Sequence, residues 1–456
     1  MITRLNISRS KSLGQEYLSS KVNKCALLGP VLQDSPITTL AKDCDDGLKR
    51  FVEPVKALDC LSGTYFLRDR NKRFKLVFKP CDEENITRSG FSEGGGMLRE
   101  LIAFLLDKSF ANVPHTQLAE VVYRPFCASD SPSLPVCKRG SVQQYVRAEC
   151  SADDMGACRF EAEDVHRIAV MDIRLCNLDR HAGNILCVRE NGGPSSLSVD
   201  WGGVSLSVDS GGQSLASSAP ASFSFEALLL LADEDSSPPR VSPKEEVARL
   251  RLVPIDHGYT LPHLLFLGDA HFAWLHWPQA SLPLSEKTMR YVQSIDVEAD
   301  IRAIETAVGA GEVGPVGMPS FFSLCTLGAL QPASLLTLRV CTHFLQSGLL
   351  HGLTLSELGA LMTAGDEEDS ISALQSLVNE DVACLARFLT SGSPRSVFDV
   401  HNTSSQFSMG QFGSGLGVAL EHIMASKSEG LLVLKIKESI DALFAHKISR
   451  SLKRIV

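Results

Sequence analysis

The stretch Met171 to Glu190 constrains this chain more tightly than any other part of it. Asp179 is followed by Arg180 and His181, and five positions after the aspartate Asn184 opens the apolar run Ile185, Leu186, Cys187 and Val188. That order suits a phosphoryl-transfer loop, in which a carboxylate orients or deprotonates an attacking hydroxyl, a cation steadies charge, and an amide oxygen ligates magnesium as the chain enters a strand. A polar turn uses the same residue types, so the reading needs a second half. Downstream, Arg249 to Ile255 alternates basic and apolar residues and ends in Asp256, His257 and Gly258. An aspartate at a strand end, with a glycine two residues on to free the backbone, supplies a second magnesium ligand. Pairing this strand with Ile185 to Val188 as a hairpin brings Asn184 and Asp256 to one metal. Asp179 and His181 are both candidates to take the hydroxyl proton, and Arg180 is the candidate cation.

The nucleotide half is expected upstream. Ala57 to Leu61, Tyr65 to Leu67 and Phe74 to Pro80 read as strands separated by a Ser62-Gly63-Thr64 turn and a polar turn over Arg68 to Arg73. A glycine turn between strands lets backbone N–H groups approach phosphate. Lys79, at the end of an apolar strand, is either the nucleotide-binding lysine or a snorkelling strand-end residue. Cys81 to Glu84 reads as a solvated acidic turn. Gly94 to Gly96 then start a helix through Leu106, on which Glu100 is either the ion-pair partner of Lys79 or a first-turn acid favoured by the helix dipole. Val113 to Tyr123 and Ser141 to Val146 complete a small sheet, and a hinge follows near Arg147 to Cys150. An adenine would lie along this edge, against Gln144, Tyr145 and Val146.

Glu161 to Val170 reads as a helix burying Val165, Ile168 and Ala169, with Asp172 and Arg174 beyond it as a buried structural ion pair. Asn191 to Glu246 is dense in Ser, Gly and Pro and is expected to be extruded from the hairpin turn, largely disordered, with Ser236 to Ser242 as a candidate phosphosite region. Between Tyr259 and Trp274 there is no Lys or Arg, which argues against a multiply phosphorylated acceptor. Leu264 to Leu267 either touches a membrane or is core, while Trp274, Trp277 and Pro278 read as core anchors. Leu284 to Ala307 and Ser334 to Leu361 read as helices around a glycine-rich Gly309 to Gly317. Ser391 to Gly415 reads as a linker before an amphipathic helix, Glu429 to Ile448, whose basic residues either meet lipid or face water.

Composition excludes several classes. Over 456 residues, 44% hydrophobic and 21% charged content fits a globular chain of two or three lobes, and a net charge of −9 argues against nucleic acid as a partner. Thirteen scattered cysteines form no zinc-spaced or disulfide framework, and no apolar run is long enough to span a bilayer. The expected location is cytoplasmic or peripheral on a membrane surface. The expected fold is α+β and two-lobed, protein-kinase-like, with a small mostly β N-lobe and a larger mostly α C-lobe. Its boundaries are 1–46, a disordered or variable segment; 47–147, the N-lobe; 148–390, the C-lobe with insertion 191–246; and 391–456, a linker and helical tail.

Taken together, GTYFLRD, LVFKPCDEE, GGGMLRELIAFLLD, SVQQY, VHRIAVMDIRLCNLDRHAGNIL, PIDHGYTLP and FAWLHWPQA resemble the type II-like phosphatidylinositol 4-kinases, most closely their gamma group. The resemblance runs in order from about Leu58 to Gly359 and implies a kinase using ATP and Mg2+. It implies that Ser62, Gly63 and Thr64 form a phosphate loop, that Lys79 binds nucleotide phosphate, that Asp179 serves the hydroxyl, and that Asn184 and Asp256 hold metal. The ubiquitin-like domains and palmitoylated cysteine cluster of some relatives are not seen, and the hairpin carries a long insertion. The implied reaction is transfer of the γ-phosphate of ATP to the 4-hydroxyl of phosphatidylinositol, with peripheral membrane contact. A protein serine/threonine kinase with the same site and a nucleotide-binding pseudokinase scaffold are the alternatives.

Overall fold

The computed structural model describes residues 23–29, 35–57, 62–85, 91–92, 94–123, 136–189, 222–223, 249–268, 270–309, 330–365, 370–391 and 409–455. Its N-terminal half is a sheet in the order β1-β5-β6-β4-β3-β2-β9, formed by β1 (Lys24–Leu28), β2 (Val55–Ala57), β3 (Tyr65–Arg68), β4 (Phe74–Pro80), β5 (Thr116–Tyr123), β6 (Val136–Gln144) and β9 (Ser222–Phe223). Its pairs are antiparallel except β2 with β9. Helix α1 (Pro36–Lys49) starts on a proline that needs no N–H there and buries Ile37, Ala41, Cys44 and Leu48, spaced for one helical face, on the sheet. The other sheet face holds Ala57 and Phe66, with Phe74, Val77 and Tyr145 packed against them.

Of residues 1–46, the described stretches 23–29 and 35–46 are built into the sheet and are not a disordered or variable segment. β1 pairs with β5 from Lys24↔Val122 to Leu28↔Leu118, and α1 covers the sheet, so the N-lobe begins well before residue 47. Met1 to Ser20 lies outside the described residues.

Helix α2 (Gly95–Asp107) crosses to the other lobe: Leu98, Leu101 and Ile102 share a core with Met171 and Leu175 of α3 (Ala162–Leu175) and with Ile301 and Ile304 of α5 (Val297–Gly309). A second, three-stranded sheet, β10-β8-β7, lies beyond the hinge and consists of β7 (Cys150–Ser151), β8 (Ile185–Arg189) and β10 (Leu250–Pro254). The hairpin expected from the sequence is present, with Ile185 opposite Pro254 and Arg189 opposite Leu250. Most of its insertion lies outside the described residues, Ser236 and Ser242 included; Ser222–Phe223 returns to the N-lobe sheet edge beside Lys56 and Ala57.

The remaining helices are α4 (Glu286–Gln293), α5, α6 (Pro332–Leu350), α7 (Leu355–Met362), α8 (Ala373–Ser391), α9 (Met409–Ala425) and α10 (Glu429–Ile455). Each of the two long helices read from periodicity is therefore two. Gly352 at φ 79° ends α6, and Thr354 with Glu357 forms a capping box that starts α7. Gly309 to Gly317 and Ser391 to Gly415 lie mostly outside the described residues. The apolar face of the tail packs on the C-lobe, whose core includes Leu416, Leu420, Ile436, Ile440 and Phe444. Leu264, Leu267 and Trp274 are also fully buried there, Trp277 packs against that core, and Pro278 is exposed instead of anchoring it.

Candidate phosphoryl-transfer site

Alternation along β4 turns Leu76 and Phe78 toward α1 and Val77 and Lys79 toward the opposite face. Lys79 Nζ lies 2.5 Å from Glu100 Oε1 and 3.0 Å from Asp256 Oδ1. One ammonium thus joins the N-lobe sheet, α2 and the segment after β10. Burial works against its charge, but Asp256 and Glu100 outweigh burial and hold its pKa well above the usual lysine range. Burial likewise opposes the Glu100 charge, and Lys79 reverses that, holding the carboxyl far below the usual range. His257 is fully buried 3.7 Å from Glu100 Oε2, beyond hydrogen-bond reach, and burial lowers its pKa below the ordinary value.

The hairpin sets the far wall. Ile255 N donates to Asn184 O at 3.0 Å, so Asn184 and Asp256 end neighbouring strands on one side. Asn184 Nδ2 donates to Asp179 O at 3.1 Å, which leaves its amide oxygen for another partner. Asp256 adopts φ 55°, a left-handed conformation that a non-glycine residue holds only when its surroundings enforce it, and its side chain is 45% exposed. Two oxygen donors, one amide and one carboxylate, suit Mg2+. Asp179 is half-buried, its N–H bonded to Asn177 Oδ1 at 2.9 Å, and His181 is exposed.

Arg180 does not act as the expected cation beside the substrate. It is fully buried: its Nε lies 3.0 Å from both oxygens of Asp172, and its Nη1 donates to Asn184 O at 2.8 Å and Ile255 O at 2.5 Å. Trp274 Nε1 donates to the same Asp172 carboxylate at 2.9 Å. Arg180 thus ties together the loop, the end of β10 and α3. The expected Asp172–Arg174 pair is absent, because Arg174 pairs with Asp300 instead.

The Ser62–Thr64 turn is occupied from below. Gly63 N donates to Glu83 O at 3.0 Å, Asn85 N donates to Ser62 Oγ at 3.1 Å, and Thr64 O accepts from Ala57 N at 2.9 Å. The Gly63 N–H expected to face phosphate is therefore engaged within the protein. A Cβ at Gly63 would stand 2.1 Å from Glu83 Oε2, so the close approach of that carboxylate requires glycine. Along the opposite edge, Gln144 N donates to His115 O at 2.7 Å and Tyr145 N to Lys75 O at 2.9 Å. The Tyr145 ring joins Phe66 and Phe74 in an apolar wall on the Lys79 face, and Val146 is half-buried at the hinge.

The sequence pattern reads Cys81 to Glu84 as solvated and says nothing of Asn85, yet Glu83, Glu84 and Asn85 are all engaged within the protein. Glu84 accepts N–H bonds from Gly96 at 3.1 Å and Met97 at 2.8 Å, capping the helix that carries Glu100. Asn85 O accepts from the Tyr259 hydroxyl, beyond Gly258. One turn therefore links the Ser62 loop, α2 and the Asp256 segment. The only signal in the sequence was a pair of acids placed between a strand and a glycine-led helix.

The phosphatidylinositol 3- and 4-kinase family model matches residues 67–308. Among curated relatives, phosphatidylinositol 4-kinase gamma 5 of Arabidopsis thaliana is 28% identical over 407 residues, 81% of this chain and 53% of that protein. Gamma 6 of the same plant is 30% identical over 379 residues, 75% of this chain and 50% of its own length. Gamma 1 is 28% identical over 396 residues, 82% of this chain and 58% of its own. The chain thus spans about half the length of the curated relatives it matches.

Proposed function

This chain belongs to the phosphatidylinositol 3- and 4-kinase family, and on that premise we propose that it transfers the γ-phosphate of ATP to the 4-hydroxyl of the inositol ring of phosphatidylinositol. The observation that carries the reading is the junction at Lys79, where one ammonium meets Glu100 of α2 and Asp256 of the opposite lobe. An ammonium held charged between two carboxylates is poised to exchange part of that pairing for nucleotide phosphate. The apolar wall of Phe66, Val77 and Tyr145 would take the base, with the backbone at Val146 beside it. Asn184 and Asp256 would hold Mg2+, which when bound screens phosphate charge and orients the transferring group. Asp179 would accept or orient the hydroxyl proton, and Arg180 would act through the backbone carbonyls of Asn184 and Ile255 as a positioning residue. The chain has no helix among the described residues that is long and apolar enough to cross a membrane, so the lipid would be met at the membrane surface.

Asp179→Ala tests the mechanism. Turnover should fall by about 10²–10⁴-fold while ATP affinity is unchanged, because the aspartate acts in the transition state. Retained turnover in that variant would remove the assignment.

A further inference from the structure

The acidic turn after β4 is anchored on the sheet face opposite Lys79. Lys56 pairs with Tyr65, Tyr65 with Phe78 and Phe78 with Val142, so these four share one face, and Lys138, four residues before Val142, lies on it too. Phe78 and Val142 pack there with α1. The Glu83 carboxylate is received on that face. The Tyr65 hydroxyl donates to its Oε1 at 2.9 Å and its Oε2 at 3.0 Å, Lys138 Nζ lies 2.7 Å from Oε1, and Lys56 Nζ lies 3.6 Å from Oε2. Burial opposes the charge, but Lys138 and Tyr65 outweigh burial and hold the carboxyl below the usual range. The side chain held in this way sits directly beneath Gly63. A Cβ added to Gly63 would stand 2.6 Å from Glu83 Cβ and 2.7 Å from its Cδ, and Gly63 N donates to Glu83 O at 3.0 Å.

We infer that Glu83 is a positioning residue for the phosphates of the nucleotide: pinned from behind by Lys138 and Tyr65, it sets the height of the Ser62–Thr64 turn over the Lys79 site. The inference rests on the nucleotide reading proposed above. Glu83 acts through the turn, because its carboxylate lies on the far side of the sheet from Lys79. Small displacements of a group that positions a substrate are costly. A turn that loses its support therefore weakens the hold on the phosphates, while the base, placed against Phe66, Val77 and Tyr145, keeps its wall.

Glu83→Gln keeps the length of the side chain and removes the charge that Lys138 and Lys56 meet. ATP and adenosine are titrated by calorimetry into the wild-type chain and the variant, adenosine reporting on the base site alone. The expected result is ATP bound about tenfold more weakly by the variant, with adenosine bound equally by both proteins. Equal ATP affinities overturn the inference, and so does equal weakening of ATP and adenosine, because a general loss of structure does not single out phosphate. A double-mutant cycle reads the contact itself. Gly63→Ala alone should weaken ATP binding by about tenfold, since its methyl group meets Glu83, and should add little in a Glu83→Gly background, where the clashing atoms are gone. An equal cost in both backgrounds overturns the inference. Neither titration contains lipid, so a wild-type chain that labels no phosphatidylinositol counts against the proposed function, while the comparison of ATP with adenosine still decides the role of Glu83.

Discussion

Two ion-pair systems meet within a few residues of each other and do opposite work. At the lobe junction, Lys79 lies between Glu100 and Asp256, with Lys79 22% and Asp256 45% exposed. Behind it, Arg180 and Asp172 are 0% and 1% exposed, and their remaining polar contacts go to Trp274, Asn177 and two backbone carbonyls. The residue types are alike; solvent access differs. A charge pair that water and ligand can reach can trade partners, whereas one sealed from water must keep those it has. The junction is accordingly the proposed chemistry, and the sealed clasp holds the loop and β10 in the positions that the chemistry needs.

The comparison breaks most visibly if charge is removed at the junction and the fold goes with it. Asp256→Asn should lower phosphate transfer by at least about a hundredfold while the thermal midpoint shifts little, read by activity and differential scanning calorimetry on the same preparation. In the clasp the order reverses. Asp172→Ala leaves Arg180 buried without its counter-charge and should cost about 3–5 kcal/mol of stability in urea unfolding, with the activity of the folded fraction falling less than in Asp256→Asn.

A smaller effect concerns the end of α2, the helix that carries Glu100. Asp107 accepts N–H bonds from Ala111 at 2.6 Å and Val113 at 3.0 Å, yet burial pushes its carboxyl up to about 6. Because that lies above the unfolded value of about 3.9, the folded state holds the proton more tightly. The resulting stability is fully present below about pH 4 and is lost as pH rises through about 6, by roughly 2–3 kcal/mol. Asp107→Asn should flatten that slope in unfolding curves taken from pH 4 to pH 7; an unchanged slope would refute the assignment. At the other end of α2, Glu84→Ala should cost about 1 kcal/mol through loss of the cap. It should also lower turnover by loosening the Lys79–Glu100 pair, and Glu84→Gln, which retains one acceptor, should recover part of the loss.

Much of this architecture was legible because short patterns carry it. The alternation of β4, the glycine-led α2, and the two polar strand ends at Asn184 and Asp256 specify their own local structure and suggest their pairing. What stayed hidden depends on which way a side chain turns. Arg180 sits between Asp179 and His181 in sequence but points inward, toward a carboxylate eight residues earlier and a carbonyl seventy-five residues later. Arg174 finds Asp300, far along the chain, and nothing in its own neighbourhood announces that partner. β1 is only five residues, and the polar Asp45, Asp46 and Lys49 of α1 disguise a helix whose apolar face lies on the sheet. Glu84 reads as solvated because a capping acid and a surface acid look alike until the helix terminus beside it is known.

Phosphate transfer to a lipid hydroxyl at the junction of Lys79 and Asp256 is the proposed chemistry. The most direct test is incubation with radiolabelled ATP, magnesium and phosphatidylinositol in mixed micelles, beside a generic protein substrate, for the wild-type chain and Asp256→Ala. The expected result is label in phosphatidylinositol 4-phosphate that disappears in the variant. Label confined to protein, or lipid label that persists in Asp256→Ala, would contradict it.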